Sequence, residues 1–356
     1  MEKLDRLFNI LPDVDAVVVI SQNNRLYFTK FSGTFGILVL TRESASYITD
    51  FRYFEMAKEA MKDSGIDVFL SEGGLKAYEC AKELLENISA KRVGYEDTEI
   101  TVSQSKSLFE KLGNFEYVPA GDSILNVRQI KTPYELDCIS KAQSITDKAF
   151  NKILNFISSN VTENEIAAEL EYQMRKNGAT GIAFDTIIAS GTNGSKPHAH
   201  PTDKQIKAGE AITMDFGARY NGYCSDMTRT VFLGKPNEEI KKIYNTVLKA
   251  QMSALNNMAC GMMGKEVDAL ARQVIVSAGY PNHFNHGLGH SLGIDIHERP
   301  SSNALSEERL QENMLMTVEP GIYVENLGGV RIEDLVIVKQ DKIINLTTSP
   351  KDIIIL

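Results

Sequence analysis

Residues 211–233 read AITMDFGARYNGYCSDMTRTVFL, and the fold turns on how this stretch folds back on itself. Two runs of strand-forming residues flank Asn221-Gly222, the strongest short-range signal for a two-residue hairpin turn. With those residues as the turn, Tyr220 faces Tyr223, Gly217 faces Asp226 and Asp215 faces Thr228. Side chains alternate along a strand, so Asp215 and Gly217 share a face, and Asp226, opposite Gly217, joins it. The two aspartates become diagonal neighbours, about 7–8 Å apart at Cβ. Carboxylates so placed could grip two metal ions about 3.5–4 Å apart, with Gly217 leaving room between them. A single bulge would carry Asp226 to the other face, and two acids beside a turn are also what a solvated hairpin offers.

Two carboxylates are too few for a two-metal site, so the rest of the chain must supply ligands. Residues 283–298, HFNHGLGHSLGIDIHE, hold His283, His286, His290 and His297, four of the six histidines. Gly287, Gly289 and Gly293 interrupt the run, which predicts a loop approaching a ligand rather than an unbroken helix. Imidazole is a common ligand for zinc, manganese and cobalt. LMTVEPGIYV follows at 315–324, with Glu319 biased towards extended geometry by Pro320. GGVRIEDLVIV at 328–338 has a strand pattern that points Arg331 and Glu333 to one face. Acids within apolar strands are costly to bury unpaired, and a metal removes that cost.

Together DFG…SDMTRT, HGLGHSLGIDIHE, TVEPGIY and GVRIED resemble the metallopeptidase family with the pita-bread fold, which includes methionine aminopeptidase, aminopeptidase P and prolidase. The resemblance implies Asp215, Asp226, His290, Glu319 and Glu333 as metal ligands. The upstream run SGTNGSKPHAHPTD is similar to a segment of the proline-specific branch and places that branch's functional histidine at His198. Gly194-Ser195-Lys196 and Ser291 depart from the family pattern without removing a ligand. The implied fold is α/β (α+β): an N-terminal creatinase-like α/β domain over residues 1–125 and a catalytic pita-bread domain over 126–356. The N-terminal domain is expected to serve dimerisation and cover the site.

The implied cofactors are two divalent metal ions per subunit, manganese first, with cobalt or zinc as alternatives. In this reading Asp215 chelates one ion, Asp226 and Glu333 bridge, His290 ligates the second, and Glu319 both ligates and handles the proton of water. His198 and His297 stabilise the tetrahedral intermediate, His286 lines the site, and Arg331 orients a metal-bound carboxylate. The expected substrate is a peptide with proline at its second position. An Xaa-Pro aminopeptidase is the leading reading, an Xaa-Pro dipeptidase the alternative. A methionine aminopeptidase seldom needs the ~120-residue leading domain, and a metal-free creatinase-like protein would be expected to lose ligands. The roles of Arg52, His200 and Cys224 stay open.

Composition agrees with such an enzyme. The 356 residues are 43% hydrophobic and 24% charged, ordinary for a soluble globular protein of two domains. Net charge is −9 without basic clusters among aromatics, which argues against nucleic acid as a partner. Apolar runs are too short to span a bilayer, and the N-terminus lacks the pattern of a signal peptide. Four dispersed cysteines read as free thiols of a cytoplasmic protein. Residues 14–120 alternate strands (VDAVVVIS, GILVL, SASYITD, 66–70) with three helical patterns at 51–63, 75–88 and 101–113. A boundary is expected around residues 118–135, punctuated by Pro119, Gly121 and Pro133. Thr132-Pro133 should open a long helix, and Thr162-x-x-Glu165 a second. Further helices are expected from Glu238 and Gly264, and helix pairs beside strands in both halves fit the internally duplicated fold the resemblance implies. A homodimer is expected.

Overall fold

A computed structural model describes residues 2–356, whose contacts divide the chain between Arg128 and Gln129. In the first unit, strands Ala16–Val19, Ile37–Leu40, Ala45–Asp50, Ile66–Ser71, Arg92–Tyr95 and Glu116–Pro119 form one sheet. Its order is fourth, third, second, first, fifth, sixth in sequence. The strand pairs between the first and third are antiparallel and the outer ones parallel, so helices must return the chain across the sheet. Helices Gly74–Asn87 and Val102–Leu112 bury Ala77, Ala81, Leu85, Leu108 and Leu112 against Val18, Val39, Ile48 and Val93.

Helices Gln22–Thr29 and Gly121–Gln129 lie outside the helical patterns read from sequence, because each buries polar side chains where apolar periodicity would be sought. Asn24 donates to Glu96, Arg25 donates to Tyr47 and to the carbonyl of Gly33, and Arg128 donates to Asn24. The boundary expected after residue 125 falls within Gly121–Gln129.

The second unit contains two similar halves. Helices Pro133–Ile153 and Glu163–Lys176, both opened by capping boxes at Thr132 and Thr162, pack on the sheet formed by Ile187–Ser190, Ala211–Phe216 and Met227–Phe232. Helices Glu238–Asn257 and Gly264–Ser277 pack on Leu315–Val318 and Asp334–Val338, which Ile343–Asn345 extends. Helix pair on antiparallel sheet, repeated, is the duplicated arrangement the sequence led us to expect.

The hairpin keeps the register its turn dictates. Asn221 and Gly222 both have positive φ, 47° and 85°, as a two-residue hairpin turn with the sheet's own twist requires. Tyr220 pairs with Tyr223, and Asp215 with Thr228. No bulge intervenes. At Gly217 a Cβ would lie 1.9 Å from the carbonyl oxygen of Ser225, so only glycine lets the strands close here.

Candidate metal centre

Because the register holds, Asp215 and Asp226 meet on one face, and Glu333 joins them from the other half of the unit. One carboxylate oxygen from each of the three lies within 4.8 Å of the others. Glu333 arrives between two strands: Gly328–Arg331 pairs with Gly321–Val324, and Asp334–Val338 with Leu315–Val318. The amide of Glu333 donates to the carbonyl of Thr228, tying it to the aspartate hairpin.

His290 and Glu319 complete the group. His290 Nε2 lies 3.6 Å from Asp226 Oδ2 and 3.5 Å from Glu319 Oε1. The His290 strand approaches Thr317 so closely that a Cβ on Gly289 would sit 2.0 Å from the Thr317 carbonyl oxygen. His290 Nδ1 lies 3.0 Å from the carbonyl oxygen of Ser291, which can only accept. Nδ1 therefore carries the proton, and the Nε2 lone pair faces the carboxylates, the orientation a metal-ligating imidazole needs.

Asp215 and Glu333 each have one oxygen engaged and one open, and Asp226 has no donor on either among the described residues. Asp215 Oδ2 accepts from Arg331 Nη2 at 2.6 Å, and Glu333 Oε2 accepts from Thr228 Oγ1 at 2.7 Å. Asp226 Oδ2 faces His290. The opposite oxygens, Asp215 Oδ1, Asp226 Oδ1 and Glu333 Oε1, are buried without a hydrogen-bond partner among the described residues. Orphaned carboxylate oxygens are expensive in a protein interior, and three carboxylates this close, each with such an oxygen, are a donor set for hard divalent cations. These residues fit such ions.

The electrostatics agree. Burial, then the charges of Glu333, Asp215 and Glu319, push the Asp226 carboxyl well above its ordinary range. Burial and then the charges of Glu319 and Asp215 do the same to Glu333. Burial raises Glu319 to about 8, and burial lowers His290 to about 4. Without cations the protein must hold protons here to keep the cluster together.

The acids line a cavity of about 500 Å³. His198, His286 and His297 line it too, and so does His200, which the sequence left without a role. His297 places its ring 4.5 Å from that of His290, edge to face. His286 accepts at Nε2 from Tyr323, 3.0 Å away, while its Nδ1 donates to the carbonyl of Gly287. Tyr323 also touches Arg331 Nη1 at 2.9 Å, so Arg331 bridges Asp215 and the His286 pair. Cys224 does not join the acids: its Sγ lies 3.5 Å from the carbonyl of Ile294. Arg52, in the first unit, pairs with Asp50 at 2.6 Å.

Tyr323, Thr228 and Thr317 were not singled out from sequence. A signal for Tyr323 existed. Gly321 pairs with Arg331 and Tyr323 with Gly329, so Tyr323 and Arg331 are diagonal neighbours across a second hairpin. Thr228 likewise stands directly opposite Asp215.

A sequence model of metallopeptidase family M24 matches residues 137–340, and one of the creatinase/prolidase N-terminal domain matches residues 4–130. The chain is 38% identical to the Xaa-Pro dipeptidase of Pyrococcus furiosus, over 99% of both chains. Its fold matches a solved Xaa-Pro dipeptidase from Bacillus anthracis with a TM-score of 0.95 at 38% identity, covering 100% of this chain and 99% of that one. It also matches an X-Pro aminopeptidase from Thermotoga maritima with a TM-score of 0.93 at 35% identity, covering 99% and 100%.

Proposed function

The chain belongs to metallopeptidase family M24, and from that premise we propose that it is a metal-dependent exopeptidase that hydrolyses the bond between an N-terminal residue and a following proline. The observation that carries this reading is the set of open carboxylate oxygens facing a cavity that His198 and His297 also line. Asp215, Asp226, His290, Glu319 and Glu333 would hold two divalent ions, manganese in the first instance. When bound, such ions lower the pKa of water towards roughly 7 and polarise a carbonyl.

The chain's own residues supply the rest. Arg331 fixes Asp215 through Oδ2 and leaves Oδ1 for a cation. Thr228 does the same for Glu333. Glu319, held at Oε1 by Thr317 Oγ1, takes the proton of the attacking water. A proline nitrogen offers no N–H, so cleavage needs a site that accepts the ring and protonates the departing nitrogen. Glu319 returns the proton it took from water to that nitrogen as the C–N bond breaks, while His198 and His297 donate to the developing oxyanion and hold the residue after the scissile bond. The negative cluster receives the substrate's amino terminus, which limits cleavage to the first bond.

We favour release of the first residue from Xaa-Pro-Yaa peptides. A second reading, cleavage of the bare Xaa-Pro dipeptide, is favoured by relatives named Xaa-Pro dipeptidase. Rates on Xaa-Pro against Xaa-Pro-Yaa decide between them.

We further propose a cytoplasmic homodimer assembled through the N-terminal unit. That unit exposes Phe51, Met56 and Leu70 at 80%, 63% and 56% around the edge strand Ile66–Ser71. Light scattering that returned 39.5 kDa at micromolar concentration would contradict the dimer. No described helix is long and apolar enough to cross a membrane.

A further inference from the structure

Glu163 is fully buried, yet it does not line the cavity. It stands in the first turn of the helix Glu163–Lys176 and gathers donors from both ends of the segment 190–202. Its Oε1 accepts from the amide and hydroxyl of Ser190, both at 2.7 Å. Its Oε2 accepts from the amide of Thr202 at 3.2 Å and from Thr202 Oγ1 at 2.6 Å. Asn193 Nδ2 reaches both oxygens, at 3.2 and 3.1 Å. Lys204 Nζ braces the same point through Ser190 Oγ at 2.7 Å.

Five donor atoms on one buried carboxylate close the ends of a segment whose middle carries Pro197 and His198. Within the segment the amide of Lys196 donates to the carbonyl of Asn193 and that of Ala199 to the carbonyl of Lys196. From outside, Arg331 Nη1 donates to the carbonyl of Pro197 at 3.3 Å and Gly194 packs on the backbone of Gly329, so the ends are where the strongest set of bonds lies. His198 itself is exposed to the cavity. Its place therefore depends on how the two ends are fixed.

We propose that Glu163 is a positioning residue for His198: its carboxylate closes the base of the 190–202 segment and so sets where the imidazole meets the substrate. The proposal rests on His198 touching the substrate, as in the function above. An amide cannot replace the carboxylate. Glu163→Gln would turn an NH2 group onto the amide N–H of Ser190 or of Thr202 and onto Asn193 Nδ2, none of which offers a lone pair, and the segment must shift to relieve the mismatch.

The test combines kinetics with a signal from His198. Glu163→Gln should keep the wild-type metal content by elemental analysis and lower kcat on Xaa-Pro-Yaa at least about tenfold. In a His198→Ala background the same change should cost less than about twofold, because the group it positions is gone. Equal losses in both backgrounds would mean a general structural role and overturn the proposal. In zinc-loaded protein the Cε1–H resonance of His198 should move or broaden in Glu163→Gln while that of His286 stays; an unchanged His198 signal would also overturn it. Wild-type protein that loads metal but leaves Xaa-Pro bonds intact would instead overturn the functional reading. Should Glu163→Gln fail to fold, Thr202→Val removes one donor and keeps the carboxylate. It should then show the same dependence on His198 at smaller size, and its absence counts against the proposal.

Discussion

Arg331 Nη2 lies 2.6 Å from Asp215 Oδ2, and this contact leaves Oδ1 as the oxygen of Asp215 without a hydrogen-bond partner among the described residues. Both side chains are nearly buried, 4% and 14% exposed. Arg331 also donates to Thr228 Oγ1 and to Tyr323 Oη, so its guanidinium ties Asp215 to the groups that support the other acids. Arg331→Met should therefore destabilise the metal-free protein by about 3–5 kcal/mol, the cost of leaving a buried charge unpaired. Chemical denaturation of the chelated protein measures it. A loss below about 1 kcal/mol would mean that Asp215 is neutral there and needs no partner.

Asp226 and Glu333 belong to the same cluster of acids, and each has a buried oxygen without a hydrogen-bond partner among the described residues. Replacing either with alanine should lower metal content and cut turnover at least about a hundredfold, since both ions of the proposed centre would lean on these groups. A variant with full metal content and near-normal turnover would remove that residue from the centre.

Chelated protein should also lose stability as pH rises from about 6.5 to 8. Glu319 titrates near 8 when folded, against 4.5 for an ordinary glutamate. A raised folded value means that the folded state holds a proton the unfolded state has released. The stabilisation is complete below 4.5 and is lost as pH climbs through 8. His286 and His290, both lowered to about 4 by burial, work in the other direction. Their contribution is present above about 6.5 and lost as pH falls towards 4, so it is flat in the window chosen. Denaturant midpoints of chelated protein across pH 6.5–8 test the sign, and Glu319→Gln should make the slope shallower, Asp226 and Glu333 being raised in the same direction. A rising midpoint would contradict it.

Much of this site was legible in the sequence because it rests on short-range rules. Asn221-Gly222 sets the register, and alternation then places Asp215, Asp226 and Thr228 without knowledge of anything else. The approach of His290 to Glu319 needed Gly289 beside Thr317, a tertiary contact that no local pattern announces. Glu163 was invisible for a similar reason: it reads as a helix-start acid, and its donors lie 27 to 39 residues away. In the first unit, Asn24, Arg25 and Arg128 face inward as a polar network, which hides two helices from any search for apolar stripes.

His198 and His297 line the cavity without joining the acid cluster, so their loss should separate turnover from metal binding. Alanine at either position should keep the metal and lower kcat by about 10²–10³, the usual cost of removing one oxyanion donor. Elemental analysis beside steady-state kinetics checks both halves. Loss of metal in His297→Ala would make its contact with the His290 ring a support of the ligand.

The central claim is tested most directly by the initial rate of Xaa release from matched Xaa-Pro-Yaa and Xaa-Ala-Yaa peptides, with manganese-loaded and with chelated protein. The account predicts cleavage after Xaa with the proline peptide at least about tenfold faster, ~1.4 kcal/mol of transition-state binding, and no activity after chelation. Equal rates on the two peptides, or full activity without metal, would contradict it.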